Sequence, residues 1–331
     1  MPGPHPADLT TRAAVPDGWS VGLDIGGTKV EAVLVDAGST PRATLRVPTR
    51  HGVAGVVASA VEATERLCGR AGLAPGDLAF VGAGVPGMVD ADRGAVSHAV
   101  NLGIDGVPVA LGALLGERLG RGPVRIENDL NVAALGAAHV LGLTGDLAFL
   151  ALGTGVAAGL ILDGALRRGH LGVAGEVGHL PYRPDGPRCL CGQDGCLELY
   201  ASGSALDAAW PSRSGRPSPA ELFAAAAAGD PAAVRLRDDY ADAVAAGVRT
   251  LVLTCDVEHV VLGGGVAGVG APLREAVREA LRRQAAASPF LAGLALDRRL
   301  LLAPRGAGLA PLGAALAARR AVPELLSSTP P

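Results

Sequence analysis

The sequence predicts an α/β protein made of two similar units, and three observations carry that reading. The pattern "VGLDIGGTKVEAVLVD" (Val21–Asp36) returns, shifted by 127 positions, as "AFLALGTGVAAGLILD" (Ala148–Asp163). In both, an apolar strand runs into a glycine-rich turn and a second apolar strand. Elsewhere, short apolar runs bounded by Gly and Pro alternate with longer stretches of helical spacing. Finally, 331 residues of which 49% are apolar suffice for two buried cores.

In the first unit, the hairpin is followed by a third strand over Ala43–Pro48. Val53–Arg70 reads as a helix, with Val56, Val57, Ala60, Val61, Thr64 and Leu67 on one side. Leu78–Val85 reads as a short buried strand ending in the turn "GVPG", Leu111–Leu119 as a helix and Val124–Glu127 as a strand. "ENDLNVAALGAAHVL" opens a helix with Asn128 or Asp129 near its N-terminus. The second unit starts with a strand over Leu147–Leu152 and carries a polar, Cys-containing insertion from Gly169 to Cys196. An Ala-rich helical region follows, interrupted by the loop Pro211–Pro219. Then come a helix over Asp239–Thr254, a buried strand in "HVVLGGGVAG" and a helix over Pro272–Ala287. A last helix, Leu312–Arg320, is expected to pack back on the first unit. The expected domains are a flexible leader 1–20, an N-terminal α/β domain 21–127 joined by the returning helix 308–326, and a C-terminal α/β domain 128–307.

Composition narrows the function. Net charge is −3 with acids and bases interspersed, so no basic stripe of the kind nucleic acid needs is present. No apolar run has the length and purity of a membrane span. The first twenty residues lack the apolar core of a signal peptide, so a cytoplasmic location is expected. Five cysteines in such a protein point to thiols or a metal, not disulfides.

Two facing units with matched glycine turns make a cleft that can grip one phosphate chain from both sides, because glycine lets backbone N–H groups approach phosphate oxygens. Gly26, Gly27, Thr28 and Lys29 form the first turn, and Gly153, Thr154 and Gly155 the second. In the gapless comparison Asp24 meets Ala151 and Lys29 meets Val156, so only the first copy is charged. Asp24 is suited to position the Mg²⁺ that travels with a nucleotide triphosphate. "RIENDLN" offers two carboxylates to accept a hydroxyl proton, Glu127 and Asp129, which strand alternation would put on one side if the strand continued. His179, Cys189, Cys191 and Cys196 lie within eighteen residues and offer three thiolates and an imidazole, a closed tetrahedral set for a structural Zn²⁺. Cys68 and Cys255 sit in apolar helical patterns and read as core residues.

The motifs "DIGGTK", "ENDLN", "LGTGVAAGLILDG", "GEVGH", "CLCGQDGCLE" and "LGGG" resemble, in order and rough spacing, those of the ROK family of sugar kinases, repressors and uncharacterised open reading frames. The resemblance runs from Val21 to about Arg320. It implies the actin-like ATPase fold, two ribonuclease-H-like domains around a cleft, with a zinc-binding loop at 169–198. It implies transfer of the γ-phosphoryl of ATP to a hexose hydroxyl, glucokinase-like, with Asp129 as general base. It places the sugar on Asn128, Asp129, Glu176, His179 and Glu198, with Asn101 as a further candidate. It places adenosine at Gly263, Gly264 and Gly265. A homodimer or homotetramer is the expected assembly.

The chain also departs from the family pattern. "NLGIDGVPV" lacks the aromatic that glucokinases of the family usually carry after the Asn, and the second turn reads "GVAAG" where glycines are commoner. Arg305 stands where an acid is often seen. The alternatives are a kinase for another hexose (N-acetylmannosamine, mannose or fructose), a kinase using polyphosphate, or a sugar-sensing transcriptional regulator lacking its own DNA-binding domain. Only 23 residues precede Asp24, too few for a winged helix-turn-helix.

Overall fold

The computed structural model describes residues 18–320. Residues 1–17 of the expected leader, and 321–326 of the expected last helix, lie outside the described residues. The chain divides into two units: the described residues up to Asp129 together with those from Ala310 onward, and Leu130–Leu309.

The first unit is built on β1 (Ser20–Ile25), β2 (Lys29–Val35), β3 (Pro41–Pro48), α1 (Val53–Arg70), β4 (Phe80–Val85), β5 (Met88–Asp90), β6 (Ala95–Ser97), α2 (Leu111–Arg118) and β7 (Arg125–Asn128). Its main sheet has the order β3-β2-β1-β4-β7. The three leading strands are antiparallel, and β4 and β7 run parallel to β1. Central β1 is buried at every position except Asp24, as a strand covered on both faces must be. The amphipathic stripe of α1 packs into the same core, with Val56, Ala60 and Leu67 fully inaccessible.

The second unit holds α3 (Asp129–Leu141, its first residue belonging to the first unit), β8 (Leu147–Leu152), β9 (Val156–Leu162), β10 (Ala165–Leu166), α4 (Glu198–Ala201), α5 (Gly203–Ala209), α6 (Ser218–Ala227), α7 (Pro231–Cys255), β11 (His259–Gly263), α8 (Ala271–Ala285), α9 (Pro289–Gly293) and β12 (Leu300–Leu302). Its sheet order, β10-β9-β8-β11-β12, repeats that of the first sheet, with the same antiparallel and parallel neighbours. Helix α7 starts eight residues before the expected Asp239. Asp230 caps it, accepting from the amides of Ala232 (2.8 Å) and Ala233 (3.0 Å), and Pro231 takes the first helical position. Pro219 likewise falls inside α6 rather than in the loop before it. Cys68 is buried as expected, whereas Cys255, at the end of α7, is only partly covered.

The last helix, α10 (Leu309–Arg320), returns to the first sheet. Side chains at Gly22 and Gly82 would collide with its backbone at Pro311 and Ala314, so these two glycines are what let the helix lie against β1 and β4. Buried Arg319 locks the far end, donating to Ser20 Oγ (2.7 Å), Gly18 O (3.0 Å), Asp36 O (2.5 Å) and Ala37 O (3.0 Å). Among the described residues no helix is long and apolar enough to cross a membrane.

The two hairpins are not superposable without a gap. In the first, Ile25 pairs with Val30, so four residues make the turn; in the second, Leu152 pairs with Val156, leaving three. The shift of 127 holds for β1 and β8 but is one residue too large for β2 and β9. Glu31, which faces Asp24, corresponds to Ala157, which faces Ala151. The match of Asp36 with Asp163 is therefore coincidental, as is that of Lys29 with Val156.

Candidate active site

In the first unit the candidate residues gather where β1, β4 and β7 end. Glu31, Asp24, Gly84 and Glu127 stand opposite one another on four adjacent strands. Directly paired residues share a face, so three carboxylates point the same way, with Gly84 leaving room between two of them. Strand β7 stops at Asn128 and Asp129 is the first residue of α3, so the alternation expected to align Glu127 with Asp129 does not extend that far. Glu127 is buried, and its Oε1 accepts from the Asn128 amide (3.1 Å). Asn128 donates to Gly87 O (3.4 Å) and stays partly accessible beside Asp129.

Burial, and then the charges of Asp129 and Glu31, push the Asp24 carboxyl up to about 7. The compensating cations are Lys29 and Arg46, both on Glu31, the latter at 3.1 Å. Such a row of acids favours anything that brings further positive charge to Asp24.

The Gly26–Lys29 turn is closed by Gly26 N–H donating to Lys29 O (3.1 Å). Three of its carbonyls are held from one side: Gly26 O by Thr49 Oγ1 (2.7 Å), Gly27 O by His51 Nε2 (2.8 Å) and Thr28 O by the Thr49 amide (3.0 Å). Gly27 also packs on the backbone of Asn101, where a side-chain carbon would lie 2.7 Å from Asn101 O. No sequence motif points to Thr49 and His51, because their contacts depend on the pairing of β2 with β3.

In the second unit, the Gly153–Gly155 turn is closed by Gly153 N–H donating to Gly155 O (3.1 Å), and Gly203 N–H holds Gly153 O (2.7 Å). A side chain on Gly153 would enter open space, whereas one on Gly155 would come within 2.7 Å of Glu198 Oε2. The segment Gly175–His179 lies along β9, with the Ala158 amide donating to Gly175 O (2.8 Å). Gly175 and Gly178 admit no side chain against the β9 carbonyls of Ala158 and Val156. The hairpin thus carries Glu176, which is exposed, and His179.

His179, Cys189, Cys191 and Cys196 bring one ligand atom each to within 4.8 Å of the others. The Cys191–Cys196 Sγ separation is 3.6 Å and Cys189 Sγ lies 3.9 Å from His179 Nδ1. A tetrahedral zinc with ~2.3 Å sulfur bonds sets its ligands about 3.8 Å apart. The donor set therefore fits a four-coordinate thiophilic cation. The Gln193 amide pulls the Cys191 thiol down to about 6, while burial and the neighbouring thiols push Cys196 up to about 12. Glu198 Oε1 sits 3.3 Å from Cys189 Sγ and 3.7 Å from His179 Nδ1, so the cluster also fixes that carboxylate.

Gly263 and Gly264 have a packing reason to be glycine. A side chain at Gly263 would strike the Phe149 ring, and Gly264 has φ +78° against the backbone of Leu152. Only Gly265 faces open space.

The profile of the ROK family matches residues 20–320. The glucokinase of Streptomyces coelicolor is 35% identical over 289 residues, 80% of this chain and 88% of that protein. Among solved structures, the ROK hexokinase of Thermus thermophilus is 37% identical with a TM-score of 0.76, covering 92% of this chain and 99% of the other. The ROK glucokinase of Streptomyces griseus in complex with glucose and AMPPNP is 32% identical with a TM-score of 0.73, covering 92% and 100%. The duplicated mixed-sheet architecture and these matches together establish that the chain belongs to the ROK family.

Proposed function

We propose that this protein is a glucokinase-like sugar kinase, transferring the γ-phosphoryl group of ATP to a hexose hydroxyl. The observation that carries the reading is the end of β1: a glycine turn whose carbonyls are tied back, next to an acid that feels the charge of Asp129. Asp129 accepts the proton of the attacking hydroxyl as its oxygen bonds to the γ-phosphorus, and the bond from that phosphorus to the β,γ-bridging oxygen breaks, releasing ADP. Asp24 positions the Mg²⁺ that accompanies ATP. Gly26, Gly27, Thr28 and Lys29 serve the phosphates from the first unit; Gly153, Thr154 and Gly155 serve them from the second.

Asn101, Asn128, Glu176, His179 and Glu198 hold the sugar, whose hydroxyls each need a donor and an acceptor. His179, Cys189, Cys191 and Cys196 hold a structural Zn²⁺, whose four protein ligands leave no position for water. Its contribution is to fix His179 and, through the cluster, Glu198. Gly263, Gly264 and Gly265 are the candidates for adenosine, and of the three Gly265 faces open space. A cytoplasmic homodimer or homotetramer fits this reading.

Glucose is the first substrate to test because the two Streptomyces relatives named above are glucokinases. ADP release should be measured with glucose, mannose, fructose and N-acetylmannosamine, with ATP and Mg²⁺ and again with polyphosphate replacing ATP. Sugar-dependent release with glucose at the highest kcat/KM is expected. No sugar-dependent release with any hexose, alongside sugar binding, would favour the regulator instead.

A further inference from the structure

We propose that His51 is a positioning residue for the nucleotide phosphates, acting through the first glycine turn. The inference rests on the kinase reading and extends it to a residue that no motif contains. In a trans peptide the C=O of one residue and the N–H of the next point in opposite directions. Fixing a carbonyl therefore aims the following amide. His51 Nε2 donates to Gly27 O at 2.8 Å, which turns the Thr28 N–H away from the segment Thr49–Gly52. Thr49 does the same for the amides of Gly27 and Lys29 through its hydroxyl and its own N–H. The amides of Gly27 and Thr28 donate to no backbone acceptor among the described residues. Three successive carbonyls facing one way make a row of amides facing the other, the arrangement that holds an anion.

The same histidine lies where two loops meet. The neighbouring Gly52 amide donates to Leu102 O (2.8 Å), and Gly103 packs against Gly52 N and the His51 Cβ. Asn101, from that second loop, packs against Gly27 as well. Both loops thus brace the glycine turn, one through His51 and the other through the Asn101 backbone. Because a carbonyl oxygen only accepts, Nε2 carries the proton here and has no lone pair to act as a base. His51 is exposed, so no core packing obliges a histidine at this position.

The test compares His51→Ala with His51→Gln, whose side-chain amide reaches as far as Nε2 and keeps a donor. His51→Ala should raise the apparent KM for ATP about five- to tenfold, the size of one ordinary hydrogen bond, with kcat and the sugar KM changed less than about twofold. Calorimetric titration of a non-hydrolysable ATP analogue with Mg²⁺ should show the same loss of affinity, and His51→Gln should recover most of it. A purely structural histidine would instead lower the melting temperature and the active fraction, leaving the KM for ATP and the analogue affinity at wild-type values. That result, or a glutamine variant no better than alanine, overturns the proposal. Should His51→Ala not fold, Thr49→Val removes the adjacent anchor and carries the same expectation. The analogue titration needs no turnover, so a wild-type protein that binds the analogue but phosphorylates no hexose would refute the kinase reading while still testing His51.

Discussion

Across β1–β2, Asp24 stands opposite Glu31; across β8–β9 the equivalent pair is Ala151 and Ala157. The two hairpins share strand order, neighbours and a glycine turn closed by its own backbone bond. They differ in charge and by one residue in turn length. Like charges directly opposite each other destabilise a sheet, and nothing in the packing of the second hairpin suggests that the fold itself needs them. The lesson is that the glycine turn belongs to the fold, whereas the acids belong to one copy and serve something brought to it. The second hairpin carries a different load: the Gly175–His179 segment lies along β9 and links it to the thiol cluster.

The largest effect should come from Asp129, adjacent to the acidic hairpin. Asp129→Asn should lower kcat by about 10²–10⁴ with little change in sugar affinity, measured by steady-state kinetics beside a sugar titration. On the other side of the comparison, Cys191→Ser should release zinc and reduce sugar binding with it, and lower the melting temperature by several degrees, since metal binding is folding energy. Metal content of the purified protein, near one zinc per chain in the wild type, checks this directly. Gly153→Val should act more gently. Its side chain enters open space without a clash, so the fold should survive while the KM for ATP rises about tenfold, as for one lost hydrogen bond to a charged group.

The smallest effect is on stability, and its sign is informative. Asp24 has its carboxyl raised from 3.8 to about 7. At low pH both folded and unfolded states hold the proton, and the favourable environment is fully present. As pH rises above the ordinary value the unfolded chain ionises first, so stability falls until the folded state ionises near 7. Asp24→Asn should therefore gain melting temperature over the wild type between about pH 4 and 7 and keep that gain above it, in Mg²⁺-free buffer. Thermal melts across that range check it, and an Ala151→Asn control should show no such trend.

Much of this was legible in the sequence, for physical reasons that differ by region. Helix α1 was readable because Val56, Ala60 and Leu67 repeat on one face. The thiol cluster was readable because ligands close in sequence need little folding to meet. The start of α7 was hidden because "PAAVRLRDDY" has no long apolar stripe, and its real marker is the Asp230 cap followed by Pro231. Strands β5, β6 and β12, of three residues each, are too short to show a period. The one-residue difference between the hairpins was invisible because a glycine-rich turn hides its own length. Of the candidate site, the acids and glycines could be picked out, but Thr49 and His51 could not. Their bonds exist only once β3 has paired with β2 and brought residues 49–51 beside the turn.

The charge difference between the hairpins is tested most directly by the Mg²⁺ dependence of Asp24→Ala turnover at saturating glucose and ATP. The account predicts a rate at least about a hundredfold below wild type that added Mg²⁺ does not restore, because the group that positions the cation for phosphoryl transfer is gone. A variant with wild-type turnover and the wild-type Mg²⁺ curve would contradict it, and would make the acidic hairpin as much plain scaffold as its uncharged copy.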